Sequence, residues 1–183
     1  MILQKPLIRL ATGISIRKAS ANDAAKLAAI GRMTFVETFA EVNTKEDMHQ
    51  YVSKAFTEKQ LLIELAEPGS TFLMAFERDR LAGYAKLRSS QNPKELSDNK
   101  ALELQRIYAR KSYQGKKVGQ QLMEYSLDMA KAMGYDTLWL GVWEYNPKAI
   151  AFYEQWGFEK FGKQTFTLGY DVQTDILMKK KIH

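Results

Sequence analysis

Residues 113–122, YQGKKVGQQL, place two glycines and two lysines where an apolar helical pattern begins at Val118. Gly115 and Gly119 allow a tight turn and a close approach of the backbone to a ligand. The first turn of the following helix has N–H groups without intrahelical partners, and these groups favour an anion. The two lysines would be unfavourable at the positive end of a helix dipole unless something negative binds there. The segment therefore predicts an anion site suited to a pyrophosphate, although glycine and lysine before a helix are also typical of a solvated turn.

A second segment whose residues could take part in binding or catalysis is NPKAIAFYEQWG, residues 146–157. Asn146 is a good helix cap, Pro147 fits the first turn, and Gly157 fits the end of the helix. Tyr153 lies on the same predicted helical face as Phe152. From spacing alone it is most simply a core tyrosine, and capping alone explains the asparagine.

The strand pattern ALELQRIYAR, residues 101–110, changes phase in its middle. Leu102 and Leu104 share one face, whereas Ile107 falls on the other face if the alternation is strict. A β-bulge around Gln105–Arg106 explains the slip, because a bulge inserts one residue and redirects the strand. Such a bend would leave backbone groups available to a ligand in the middle of a sheet.

These segments are positioned by the fold as a whole, and the predicted elements follow the order strand, helices, three strands, helix, strand, helix and strands. That order predicts a mixed sheet with helices on both faces. Residues 1–13 are interpreted as an N-terminal extension and residues 14–183 as a single domain. The polar stretch SSQNPKELSDN, residues 89–99, is the best candidate for a mobile loop.

Composition limits the possible functions. The chain has 183 residues, a net charge of +6 and no cysteine, so disulfides, thiolate metal sites and cysteine nucleophiles are excluded. With only two histidines a histidine-rich metal site is unexpected, and we expect no metal. No apolar run reaches the ~20 residues that span a bilayer. No basic helix is interleaved with aromatic residues, so we expect neither nucleic acid nor membrane as a partner, and we expect a cytoplasmic location.

The chain contains, in this order, a strand, the segment QGKKVG, a helix, the segment LWLGVW and the segment NPKAIAFYEQWGF. This arrangement resembles the GNAT superfamily of N-acetyltransferases. In that family the pattern Q/R-x-x-G-x-G/A follows a bulged strand and binds the pyrophosphate of acetyl-CoA, and an asparagine-capped helix ends in FYxxxGF. The match covers roughly residues 14–180, with Lys117 where the family usually has glycine. The resemblance implies an α/β fold of the α+β type: a mixed, mostly antiparallel sheet of about seven strands, with helices on both faces and a bulged, splayed central strand pair.

The same resemblance assigns roles to residues. By this resemblance Tyr153 would protonate the departing thiolate as general acid. The base is less clear: the position of Glu103 on the bulged strand makes it a candidate that could accept the amine proton directly or through water, although a solvent-facing strand glutamate is the simpler alternative. The residues implied to bind acetyl-CoA are Ile107, Tyr108, Ala109, Gln114, Gly115, Lys116, Lys117, Val118, Gly119, Gln120, Asn146 and Tyr153.

The segments FVETF, WLGVWEYNPKAIAFYEQWGF and QTD look like those of the PaiA-type bacterial spermidine/spermine acetyltransferases. This implies a small-molecule amine acceptor of the polyamine class, such as spermidine or spermine. We expect the protein to be a monomer or a homodimer. The candidate acceptor-binding residues are Phe35, Glu37, Phe39, Trp143, Glu144 and Asp175. The alternatives are a protein amine or an amine antibiotic as acceptor, a fold member that binds CoA without catalysis, and a basic module that binds nucleic acid or a membrane.

Overall fold

The computed structural model describes residues 8–9, 13–89, 92–97 and 99–182, and in these residues eight strands form one sheet. The strands are β1 (Ile8–Arg9), β2 (Ile14–Lys18), β3 (Ser70–Glu77), β4 (Arg80–Arg88), β5 (Ala101–Ala109), β6 (Thr137–Trp143), β7 (Glu159–Leu168) and β8 (Asp171–Lys181). Their spatial order is β1-β2-β3-β4-β5-β6-β8-β7. Only β5 and β6 pair in parallel among these strands, so the predicted mixed, mostly antiparallel sheet is confirmed.

The sheet has one strand more than the seven expected, because Ile8–Arg9 pairs with β2 at the edge. Apart from these two residues and Gly13, the predicted N-terminal extension lies outside the described residues. The same holds for positions 90, 91 and 98 of the predicted loop. The rest of that loop contains a short 3-10 turn, Lys94–Leu96, whose Leu96 is buried in the core.

In the described residues, five α-helices cover both faces of the sheet, as predicted. They are α1 (Ala24–Phe39), α2 (Lys45–Ala55), α3 (Glu58–Ala66), α4 (Val118–Ala132) and α5 (Pro147–Gln155). Helices α4 and α5 pack on a core that contains Val118, Leu122 and Tyr153. Helices α1 to α3 pack on a second core that contains Leu27 and Phe56. Burying a large apolar side chain stabilises a fold by roughly 1.5–3 kcal/mol, so the two cores fix the helices firmly against the sheet. In the described part of the chain, no helix is long and apolar enough to cross a membrane.

The predicted bulge is present in β5. Lys86 pairs with Arg106 and the next residue, Leu87, pairs with Leu104, so Gln105 is the inserted residue. The slip keeps Leu104 buried before the bulge and lets the strand bend after it.

The central strand pair is also splayed, as expected. Strands β5 and β6 pair only over Ala101–Glu103 and Thr137–Trp139. Beyond this ladder the two strands continue to Ala109 and Trp143 without pairing with each other. The divergence opens a gap in the middle of the sheet, with strand backbone along its edges.

Candidate active site

The gap between β5 and β6 forms a groove with a cavity of about 550 Å³. The second half of β5, the end of β6, the start of α4 and one face of α5 line it. Of the residues predicted to bind acetyl-CoA, the groove is lined by Ile107, Tyr108, Ala109, Gln114, Gly115, Lys117, Val118, Gly119, Gln120, Asn146 and Tyr153. One fold feature, the splayed strand pair, therefore brings together two segments that are separated in the sequence.

The loop before α4 turns through two left-handed residues. Gly115 has a φ of 81° and Lys117, the N-cap of α4, has a φ of 61°. A left-handed conformation costs a residue with a side chain roughly 1–2 kcal/mol. This explains why glycine is favoured at position 117 in the family pattern. Lysine nevertheless adopts the conformation here, so α4 still begins at Val118, and Val118, Gly119 and Gln120 of its first turn line the groove.

Lys116 corrects one of our expectations. Its Nζ lies 3.0 Å from Glu77 Oε1 on β3 and 4.8 Å from the centre of the Tyr113 ring, and Lys116 does not line the groove. The acidic partner comes from a distant strand and turns the side chain away from the predicted pyrophosphate site. Lys148, which the sequence did not single out, lines the groove instead, with its Nζ 3.1 Å from Gln114 Oε1. Its position directly after Pro147, in the first turn of α5, was the signal that could have revealed it.

Helix α5 positions Asn146 and Tyr153. The Asn146 side-chain oxygen accepts a hydrogen bond from the Ala149 N–H at 3.1 Å, so the predicted cap is confirmed. Tyr153 is buried, and its ring lies 5.5 Å from that of Phe152 and 5.9 Å from that of Phe158. Burial raises the pKa of the Tyr153 phenol well above its ordinary value. The phenol therefore carries its proton at neutral pH, as a proton donor must.

A second, smaller cavity of about 190 Å³ adjoins the groove. Its wall combines aromatic and polar side chains. The aromatic residues are Phe35, Phe39, Tyr51, Phe56, Tyr108, Trp143 and Phe166, and the polar residues are Arg88, Glu103, Gln105, Arg106, Gln164, Gln173 and Asp175. Residues that line both cavities include Phe39, Gly141 and Trp143. The two cavities therefore meet beside the end of β6.

Glu103 lines this second cavity and is buried. The simpler alternative, a solvent-facing strand glutamate, is therefore wrong. Arg88 donates hydrogen bonds from Nε and Nη2 to the two carboxylate oxygens of Glu103. Both oxygens are thus engaged by one guanidinium. The role of Glu103 as a base stays a prediction.

A buried ionic network lies next to the same cavity. Glu64 Oε2 is 2.7 Å from Lys86 Nζ and 2.8 Å from Arg106 Nη1. Burial alone would raise the pKa of Glu64, but Arg106 and Lys86 hold it below the ordinary value. The charge of Arg106 at the cavity wall is therefore balanced by a carboxylate behind it.

Asp175 differs from the other carboxylates around this cavity. It is partly buried on β8 and, among the described residues, forms no salt bridge. Burial raises the pKa of Asp175, while a hydrogen bond with Gln164 partly opposes that rise.

Of the six predicted acceptor-binding residues, the structure brings four together in the second cavity, namely Phe35, Phe39, Trp143 and Asp175. Glu37 and Glu144 line neither cavity. Glu37 lies on the exposed side of α1, where its Oε2 accepts a hydrogen bond from the Lys111 N–H at 2.8 Å. Glu144 follows Trp143 and pairs with Lys163 Nζ at 3.3 Å. Both are therefore left out of the acceptor site proposed below.

Comparisons with known proteins agree with this geometry. The model of the acetyltransferase (GNAT) family matches residues 34–158. A protein described as an N-acetyltransferase in the pepI 3′ region of Lactobacillus delbrueckii subsp. lactis is 40% identical over 171 residues, which cover 93% of this chain and 99% of that protein. The chain belongs to the GNAT family of acetyltransferases. It is an acetyl-CoA-dependent N-acetyltransferase, which excludes the alternative of a basic binding module.

Two further relatives of this GNAT enzyme come from Thermoplasma acidophilum. A spermidine N(1)-acetyltransferase is 29% identical over 150 residues, covering 80% of this chain and 88% of that protein. The crystal structure of a PaiA N-acetyltransferase in complex with coenzyme A superposes with a TM-score of 0.74 at 25% identity, covering 92% of this chain and 98% of that one. The use of acetyl-CoA is thereby supported. In the part of the chain that the structure describes, no group of three or more histidine, cysteine, aspartate or glutamate residues is arranged to hold a metal ion.

Proposed function

We propose that this enzyme transfers the acetyl group of acetyl-CoA to a primary amine of a polyamine such as spermidine or spermine, with Tyr153 as general acid. The observation that carries the proposal is the meeting of two unlike cavities beside Gly141 and Trp143. One has the features of a CoA site, and the other has aromatic walls and a carboxylate without a cationic partner among the described residues.

The groove between β5 and β6 suits acetyl-CoA along its whole length. Backbone groups of residues 107–109 on the side facing β6 can pair with the pantetheine arm, as an added strand would. The first turn of α4 and the side chain of Lys148 then supply N–H groups and positive charge for the pyrophosphate. Lys117 adds a further cation at that end.

The reaction needs a neutral amine that attacks the thioester carbonyl carbon, and a proton for the sulfur when the carbon–sulfur bond breaks. A thiol of this kind has a pKa near that of cysteine, about 8.5, so the released CoA is mostly in its thiol form at neutral pH, and a nearby acid can supply the proton to the departing sulfur. Tyr153 is buried, protonated and lines the groove. It can therefore donate its phenolic proton as the bond breaks.

A polyamine fits the second cavity by its chemistry. The aromatic rings can cover methylene groups and attract an ammonium group over their faces. Asp175 supplies negative charge where the two cavities meet. Because the whole protein carries a net charge of +6, long-range repulsion opposes the approach of a polycation, and the local carboxylate must supply the attraction. The spermidine acetyltransferase among the relatives adds support for this acceptor class.

The test is a thiol-release assay that compares spermidine with an alkylamine of the same chain length but no second charge. A hydrogen bond to a charged group is worth roughly 1.5–3 kcal/mol, so we expect kcat/KM for spermidine to be higher by about tenfold or more. A peptide with a free N-terminus and an aminoglycoside belong in the same panel. If the alkylamine is acetylated as well as spermidine, or if the peptide or aminoglycoside is preferred, the polyamine assignment is wrong.

A further inference from the structure

We propose that Asp175 is the catalytic base, accepting the proton that the ammonium group of the acceptor must lose before it can attack. The sequence had suggested Glu103 for this role. The inference rests on the proposed transfer to an amine and identifies the group that makes the amine nucleophilic.

The position of Asp175 in the sheet is the first argument. It lies on β8 between two neighbouring strands, directly opposite Trp143 of β6 and Gln164 of β7. Directly opposed residues of antiparallel strands have side chains on the same face, so these three side chains form one row. All three line the second cavity.

Gly141 supplies the second argument, because it lies in both cavities and leaves space for the carboxylate. A Cβ added at Gly141 would lie 3.2 Å from Asp175 Oδ2 and 2.8 Å from Gln164 Nε2. The missing side chain thus lets the Asp175 carboxylate lie against the backbone of β6 where the two cavities meet. An amine that binds in the second cavity beside Gly141 therefore lies next to this carboxylate.

The carboxylates in and next to the second cavity differ in their partners. Arg88 engages both oxygens of Glu103, and Lys86 and Arg106 bind Glu64. Asp175 has a neutral amide, Gln164, as its partner, and burial raises its pKa. A carboxylate in this state takes up a proton more readily than an ordinary aspartate does. The titratable and charged groups that share its cavity are Tyr51 from α2, Arg88 from β4, and Glu103, Arg106 and Tyr108 from β5.

The protons balance in the complete reaction. Asp175 takes one proton from the ammonium group and later releases it to solvent. The neutral nitrogen forms a bond to the carbonyl carbon, and the carbon–sulfur bond breaks. The sulfur receives the phenolic proton of Tyr153, and the second proton lost by the nitrogen restores that phenol. The products are the acetylated amine, CoA as a thiol, and one free proton.

The test compares Asp175→Asn with Glu103→Gln, two changes that remove a charge and keep the shape. Asp175 must be ionised to act, so the wild-type kcat/KM for the acceptor should fall as pH falls through the pKa of Asp175. This fall is the acidic limb of the pH profile. In Asp175→Asn we expect kcat/KM at neutral pH to fall about 10²-fold or more and the acidic limb to disappear. The remaining rate should then rise with pH only as the fraction of free amine rises. Glu103→Gln should keep the limb. Acetyl-CoA affinity, measured by calorimetry, should be nearly unchanged in Asp175→Asn, and this also shows that the variant is folded.

A variant that retains a carboxylate separates catalysis from structure. Asp175→Glu should keep a pH limb, at a shifted position, even if its kcat falls. The proposal is overturned if Asp175→Asn keeps the wild-type limb, if only its KM for the amine rises, or if Glu103→Gln is the variant that loses the limb. If the wild-type enzyme prefers another amine of the panel, the same variants are compared with that amine, and the polyamine assignment alone is lost. If the wild-type enzyme acetylates no amine, both the base and the proposed function are wrong.

Discussion

Replacing Tyr153 by phenylalanine should lower kcat by about 10²–10⁴-fold, the usual contribution of a general acid. The change removes only the hydroxyl, and the ring keeps its contacts with Phe152 and Phe158. Burial holds the phenol in its protonated form, so at neutral pH the variant loses a proton donor and not a negative charge. Steady-state kinetics with acetyl-CoA and the preferred amine measure the effect, and calorimetry should show acetyl-CoA affinity close to that of the wild type.

Tyr125→Phe is the matched control for this experiment. Tyr125 lies on α4, packs against the same core and lines neither cavity. Loss of its hydroxyl should leave kcat unchanged. A folded Tyr153→Phe enzyme with full turnover would show that Tyr153 is a core residue and that the thiolate leaves by another route.

The second large effect is expected at Gly119, in the first turn of α4. Gly119→Asp places a carboxylate where we propose that the pyrophosphate binds, and juxtaposed like charges cost several kcal/mol. We therefore expect acetyl-CoA affinity to fall by more than about tenfold, measured by calorimetry. The substitution should not unfold the protein, because an acidic residue in the first turn of a helix is favourable.

Gly119→Ala separates charge from bulk. A Cβ at Gly119 would meet only the tip of the Phe152 ring, at 3.9 Å, and the glycine does not have a positive φ. Alanine should therefore be tolerated with little change in affinity. If Gly119→Asp binds acetyl-CoA as tightly as Gly119→Ala does, the pyrophosphate does not lie at the start of α4.

Features with a local cause could be predicted from the sequence. The bulge at Gln105 followed from the phase of its own strand, and the start of α5 followed from Asn146 and Pro147. The turn before α4 followed from its glycines, although the left-handed Lys117 could only be seen in the structure. In each case the residues that carry the signal are the residues that form the feature.

Features that depend on distant partners could not be predicted. Lys116 turns to Glu77, 39 residues earlier, and Glu37 contacts Lys111, 74 residues later. The pair of Arg88 and Glu103 likewise forms only when β4 and β5 are in register. Tertiary pairing thus decides which charges face the cavities, and no local pattern carries that information.

The most direct test of this account measures CoA thiol release and product mass together, with acetyl-CoA and a panel of primary amines that includes spermidine. We expect thiol release to depend on the amine, and one molecule of amine with a single added acetyl group to appear for each thiol released. Thiol release that does not change when the amine is omitted, with no acetylated product, would contradict it. Such a result would mean that the groove binds acetyl-CoA but the adjoining cavity does not deliver an amine to it.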